Sequence, residues 1–177
     1  PMFATLNSFK LLIVKLIISR TGYTGEDGVE VILPSKMPAM ALDMLLKSGG
    51  SDAEQVLKPA GLGARDSLRL EAGMPLYGHE LHEDTNPLSV GVDFAIALDK
   101  GETDEDKAAD VSGFIGQDAL KQFKVDGPVR KLVGLKLKGR RTPRQGMSVR
   151  QDGKQVGTVT SGCLSPTLGY PIAMAMI

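Results

Sequence analysis

"SRTGYTGEDGVEVILP", residues 19–34, joins a glycine-rich turn to an apolar strand that carries one carboxylate, Glu30. The glycines stand at Gly22, Gly25 and Gly28. This G-x-x-G-x-x-G spacing is neither the dinucleotide fingerprint nor a phosphate loop, and Glu26 and Asp27 would repel the phosphate that such a cradle holds on bare amides. The glycines serve instead as turn residues, allowing positive φ and close chain approach. In the strand that follows, Val29, Val31 and Leu33 share one face, and Glu30 and Ile32 the other. If that second face is wet, Glu30 is simply solvated. If it is covered, the charge needs fixed donors, because burying it unpaired costs several kcal/mol.

Composition bounds what surrounds this stretch. A chain of 177 residues, 42% hydrophobic, can bury one core and part of a second domain. Its 21 basic and 21 acidic residues give no electrostatic footprint for nucleic acid. One cysteine, Cys163, excludes an internal disulfide and a cysteine-rich zinc site, and it reads as a half-buried strand residue. The apolar stretch Leu11 to Ile18 is split by Lys15, lacks a small-residue cleavage site and is too short to cross a bilayer. A buried strand is expected there, and no membrane partner.

Downstream, Val29 to Leu33 has strand character. Met37 to Leu46 has helical spacing, with its methionines expected as core filler. Gly49-Gly50 ends that helix, and a second short one is expected from Asp52 to Leu57. A third spans Ala64 to Ala72, with Gly73 as the left-handed residue that closes it. Gly101 to Asp110 reads as a solvated acidic loop. Phe114 to Phe123 begins a short amphipathic helix, and Val125 to Pro128 reads as a linker. From Lys131 the pattern alternates in KLVGLKL, GMSVRQ, KQVGTVTSG and YPIAMAMI, with Asp152-Gly153 as a tight-hairpin signal. The tail is therefore expected to be a small antiparallel β-domain, one that stops in mid-strand at Ile177.

Two side-chain clusters invite chemistry. Arg65 and Arg69 are four apart on the expected helix, a like-charge pair that costs a few tenths of a kcal/mol unless an anion sits near it. Asp66, Glu71 or solvent would serve. Alternatively, one arginine faces inward and offers its planar fork to a carboxylate or a polar ring. The two histidines, His79 and His82, sit in YGHELHED, but their spacing is not that of a zinc-protease helix and no third nitrogen or sulfur ligand is near. A polar surface loop is the simpler reading, and no metal site is assigned. No G-x-S-x-G elbow appears, and Ser165 precedes a proline in a turn.

The runs TGYTGEDGVEVILP, GLGARDSLRLEAGMPLYGHEL, FIGQDAL and GTVTSGCLSPTLGYPIA, in this order, closely resemble aminomethyltransferase, the T-protein of the glycine cleavage system. Related folate-dependent domains fused to dimethylglycine and sarcosine dehydrogenases carry looser versions of them. The resemblance runs from Thr21 onward and implies a folate-dependent transferase. Family enzymes take the aminomethyl group from the lipoyl arm of H-protein, release ammonia and pass the one-carbon unit to tetrahydrofolate. By the same resemblance Glu30 accepts hydrogen bonds from the pterin amino group and ring N–H, Arg65 of the A-R-D run lies in the folate site, and Tyr77 lines the pocket. Tyr23 is a further candidate whose ring could equally pack under the turn.

The resemblance also sets limits. The aspartate that activates the folate nitrogen lies ahead of anything in this sequence, so no catalytic residue is assigned to the chain. Residues 1–16 match the family poorly, and the end of the β-domain is missing from the pattern. A C-terminal fragment is expected. The implied fold is α+β: a folate-binding segment over 1–97, a helical connector over 98–130 and a β-barrel-like domain over 131–177. Tetrahydrofolate and lipoylated H-protein are the implied ligand and partner, and the implied compartment is the cytoplasm for a bacterial member or the mitochondrion for a eukaryotic one, with the former favoured. The competing reading is a folate-binding or partner-docking fragment without activity of its own.

Overall fold

The computed structural model describes residues 6–11, 14–47 and 57–177, with side chains from residue 16 onward. Two compact units divide at Met74 and Pro75.

In the first unit, β1 (Leu6–Leu11), β2 (Val14–Ser19) and β3 (Glu30–Ile32) form an antiparallel sheet in that order. One buried strand over Leu11 to Ile18 was expected; the structure has two paired strands, with Leu11 opposite Val14. A continuous apolar run interrupted only by Lys15 carries no turn residue to mark a hairpin, which is why the pattern missed the break. β2 meets β3 with Ser19 opposite Glu30. Two helices follow, α1 (Pro38–Lys47) and α2 (Leu62–Glu71). The expected helix end at Gly49-Gly50 and the helix from Asp52 lie outside the described residues.

α1 forms where its spacing predicts, but it buries no residue, and Met44 is 65% exposed. The core-filler expectation is thus corrected for Met40 and Met44, which are exposed, whereas Met37 just before the helix is half-buried. α2 ends as its sequence demands. Gly73 takes φ +74°, its N–H donates to Leu70 O, and the Met74 N–H reaches back to Arg69 O at 2.8 Å. That pair of bonds is a Schellman closure, which satisfies two of the carbonyls a helix end orphans.

In the second unit, short turns at Pro87–Ser89 and Asp93–Ala95 precede α3 (Asp104–Ala108) and α4 (Gln117–Asp126). α3 replaces the acidic loop expected there. Thr103 caps it by accepting from the Asp106 N–H at 3.0 Å, and the three acids of its first turn lie at the positive end of the helix dipole. α4 continues to Asp126, so helix takes the first part of the expected linker.

The tail is β4 (Leu132–Lys136), β5 (Ser148–Gln151), β6 (Lys154–Leu164) and β7 (Pro171–Met176). They pair antiparallel in the order β4-β7-β6-β5. Asp152 and Gly153 both have positive φ, the geometry of the two-residue hairpin their sequence announces. Val159 on β6 and Ala173, Met174 and Ala175 on β7 are buried and form the core of this unit with Val90. Cys163 is half-buried on β6, as expected. The fold is α+β.

Candidate functional site

Three of the four candidate residues belong to the first unit. Glu30 opens β3, and the turn before it folds back so that the Thr21 hydroxyl meets the Glu30 carboxylate. Thr21 Oγ1 also lies 2.9 Å from Ser19 Oγ. A carboxylate only accepts, so the single Thr21 proton goes to Glu30 and Ser19 donates to Thr21. A short relay of hydroxyls thereby fixes the acid from its own hairpin. Arg20 pairs with Asp27 across the same turn.

The covered face considered for Glu30 is not what this chain presents. Glu30, Val31 and Ile32 are all exposed, with β3 at the sheet edge. The acid is tolerated here by solvation and by Thr21 rather than by donors in a dry pocket.

The two arginines of α2 divide their work. Arg69 is 1% exposed, and its Nε and Nη2 donate to Asp66 Oδ1 at 2.8 and 2.7 Å while Nη1 reaches Met74 O at 3.3 Å. Burial of a guanidinium is tolerable because its fork is matched by acceptors. Arg65 is exposed, and its guanidinium carbon lies 4.9 Å from the Tyr23 ring centroid. This stacking is a cation–π contact. Of the readings open in the sequence, the inward fork on a carboxylate describes Arg69, while Arg65 stays exposed over the Tyr23 ring. The helix comes this close to the turn because Gly25 is a glycine: a Cβ there would stand 2.5 Å from Ala72 Cβ.

Tyr77 lies in the second unit, on the 76–81 loop, and is 66% exposed. A bridge between Tyr77 and Leu81 closes the loop, the Gly78 N–H donates to Leu81 O at 2.8 Å, and Glu80 Oε2 accepts from the Leu76 N–H at 2.9 Å. Glu80 is 1% exposed. The surface-loop reading of YGHELHED is therefore corrected at two positions, since Glu80 is buried and His79 is half-buried with Nδ1 3.1 Å from Thr160 O and 3.2 Å from Ser161 Oγ. Sequence reading missed this attachment because its partners are 81 and 82 residues away. His82 stays exposed, its ring 6.3 Å from that of Tyr77. Among the described residues no three His, Cys, Asp or Glu side chains gather as metal ligands. Ser165 is buried, and its hydroxyl accepts from the Leu168 N–H, a turn-closing role.

Chemically, the first unit offers an acceptor carboxylate and a cation stacked on an aromatic face, and the second an exposed phenol. Comparison with known proteins gives that chemistry a class. Residues 2–100 match the GCVT N-terminal domain, and residues 130–177 match the glycine cleavage T-protein C-terminal barrel domain. The chain belongs to the glycine cleavage T-protein family. It is 48% identical over 162 residues to an aminomethyltransferase of Symbiobacterium thermophilum, covering 92% of this chain and 40% of that one. An aminomethyltransferase of Caldanaerobacter subterraneus is 45% identical over 168 residues, covering 95% and 41%. Among solved structures, the glycine cleavage system aminomethyltransferase T of Bartonella henselae superposes with a TM-score of 0.76 at 34% identity, over 92% of this chain and 41% of that one. The chain spans about two fifths of the length of these relatives. No helix among the described residues is long and apolar enough to cross a membrane.

Proposed function

We propose that this chain supplies the pterin-orienting portion of a tetrahydrofolate-dependent aminomethyltransferase, which moves a one-carbon unit from the aminomethyl-lipoyl arm of H-protein to tetrahydrofolate with release of ammonia. The observation that carries this reading is the match of both family domains, in order, along one chain whose relatives are aminomethyltransferases. Residues 1–97 form the folate-binding segment, 98–130 the connector and 131–177 the β-domain. A cytoplasmic setting goes with the bacterial relatives.

Within the site, Glu30 accepts from the pterin amino group and ring N–H. Thr21 occupies one of its oxygens and holds the carboxylate still, and the arriving ring itself excludes the water that now solvates the acid. Arg65 and Tyr23, already stacked, bound the ring on the same unit. Charge-assisted hydrogen bonds are worth about 1.5–3 kcal/mol each. Glu30→Gln is therefore expected to weaken tetrahydrofolate binding by about 1.5–3 kcal/mol in calorimetry. An unchanged dissociation constant removes Glu30 from the site.

One observation favours a second reading, a folate-binding or partner-docking fragment without turnover: the chain spans about two fifths of the length of its relatives. Incubation with aminomethyl-loaded H-protein and tetrahydrofolate separates the two. Formation of 5,10-methylenetetrahydrofolate selects the transferase, and binding without product selects the fragment.

A further inference from the structure

We propose that His79 is a positioning residue: it fastens the loop that carries Tyr77 to the β-domain sheet and so sets where the phenol stands. The tether is geometric and belongs wholly to the second unit; its effect on the ligand rests on the folate reading above.

The anchor point is a defect in the sheet. Between β6 and β7 the pairing runs Val159 with Ala175 and then Ser161 with Met174, so Thr160 is the extra residue of a bulge. A bulge residue drops out of the ladder, and its carbonyl needs a donor from elsewhere. His79 Nδ1 supplies it at 3.1 Å, with the buried Ser161 hydroxyl at 3.2 Å. A carbonyl only accepts, so Nδ1 carries a proton, and the bond holds the ring in one orientation. A second tether lies one residue away, where Gln145 Nε2 donates to Gly78 O at 2.9 Å. Two separate β-domain segments thus grip the two residues that follow Tyr77, while the phenol itself stays exposed. A loop that served packing alone would bury its aromatic ring; this one fixes the backbone beside it and leaves the ring presented.

The test reads the ring directly. The full chain holds three tyrosines, so labelling with 3-fluorotyrosine gives three ¹⁹F signals, and Tyr77→Phe identifies the one required. His79→Ala is expected to shift or broaden the Tyr77 signal while leaving those of Tyr23 and Tyr170, and to weaken tetrahydrofolate binding by roughly 3- to 10-fold, the loss of one ordinary hydrogen bond. His79→Asn, whose amide nitrogen stands in for Nδ1, is expected to restore both. If the alanine variant does not fold, Gln145→Ala tests the other tether with the same two readouts. An unmoved Tyr77 signal overturns the proposal, as does a moved signal with unchanged folate affinity. A moved signal in a protein that binds no tetrahydrofolate even when unsubstituted upholds the tether and overturns the folate reading instead.

Discussion

Gly25 meets two constraints that no other residue type satisfies together. Its φ of +73° lies where a Cβ is strained, and the Cβ would stand 2.5 Å from that of Ala72. Gly28, three residues on, has neither constraint, with nothing within 4 Å of a Cβ built there. Gly25→Ala is therefore expected to destabilise the chain by about 1–3 kcal/mol, from backbone strain plus overpacking, and Gly28→Ala to stay within about 0.5 kcal/mol of neutral. Urea midpoints of the two variants check this. Equal midpoints would mean that the turn is not held against α2. The sequence announces a turn with close approach at these glycines but not which of them makes it, because that depends on a helix end 47 residues later. The arginines of α2 were legible to the same depth. Spacing raises the question of their mutual repulsion, and only packing assigns Arg69 to Asp66 and Arg65 to Tyr23.

At the scale of elements, local signals located what local chemistry determines. Gly73 ends α2 and Asp152-Gly153 turns β5 into β6 because positive φ is a property of one or two residues. α3 was missed although its cap and acids are present in the sequence, since three successive acids also describe a solvated loop and the choice rests on the Thr103 cap and the Asp106 carboxylate, which accepts from the Gly101 N–H at 2.8 Å. The placement of α4 depends on contacts beyond local reach. Gln117, buried at its first turn, donates from Nε2 to Leu98 O and Lys100 O, each at 2.9 Å, and accepts from the Phe114 N–H at 3.0 Å. It satisfies three backbone groups with one amide, so the side chain acts as a splice between the 98–100 turn and the helix. Gln117→Glu keeps the shape and removes both donors, setting a carboxylate against two carbonyls. Its expected cost is on the order of 2–4 kcal/mol, read as a lowered urea midpoint. A loss within 0.5 kcal/mol would show that water replaces the amide without penalty.

Across the whole molecule, burial is uneven. Among the residues whose burial is described, the buried apolar residues Val90, Val159, Ala173, Met174 and Ala175 fall in the second unit and Leu70 in the first. α1 buries nothing, and β3 is exposed along its length. Composition could not reveal this, because a 42% hydrophobic chain fixes how much apolar surface exists and not which part finds cover. Local stability follows buried contacts, so elements without them open at lower free energy than the strands that hold the core. Native-state hydrogen exchange is expected to be slowest at the ladder amides of β6 and β7 and fast along α1 and β3. Under rising urea, the first unit should lose protection before the second. A single transition with equal protection in both would refute this ordering and would mean that the exposed apolar side of α1 is covered in solution, since an uncovered helix of ten residues is marginal by itself. Among the described residues, the glutamate and the stacked arginine therefore sit on the unit with fewer buried apolar side chains, while the tyrosine loop is fastened to the other. If a pterin binds Glu30 and Arg65 as proposed, it adds stability mainly to the first unit. Saturating tetrahydrofolate should slow exchange in α2 and β3 and leave the β6–β7 core unchanged.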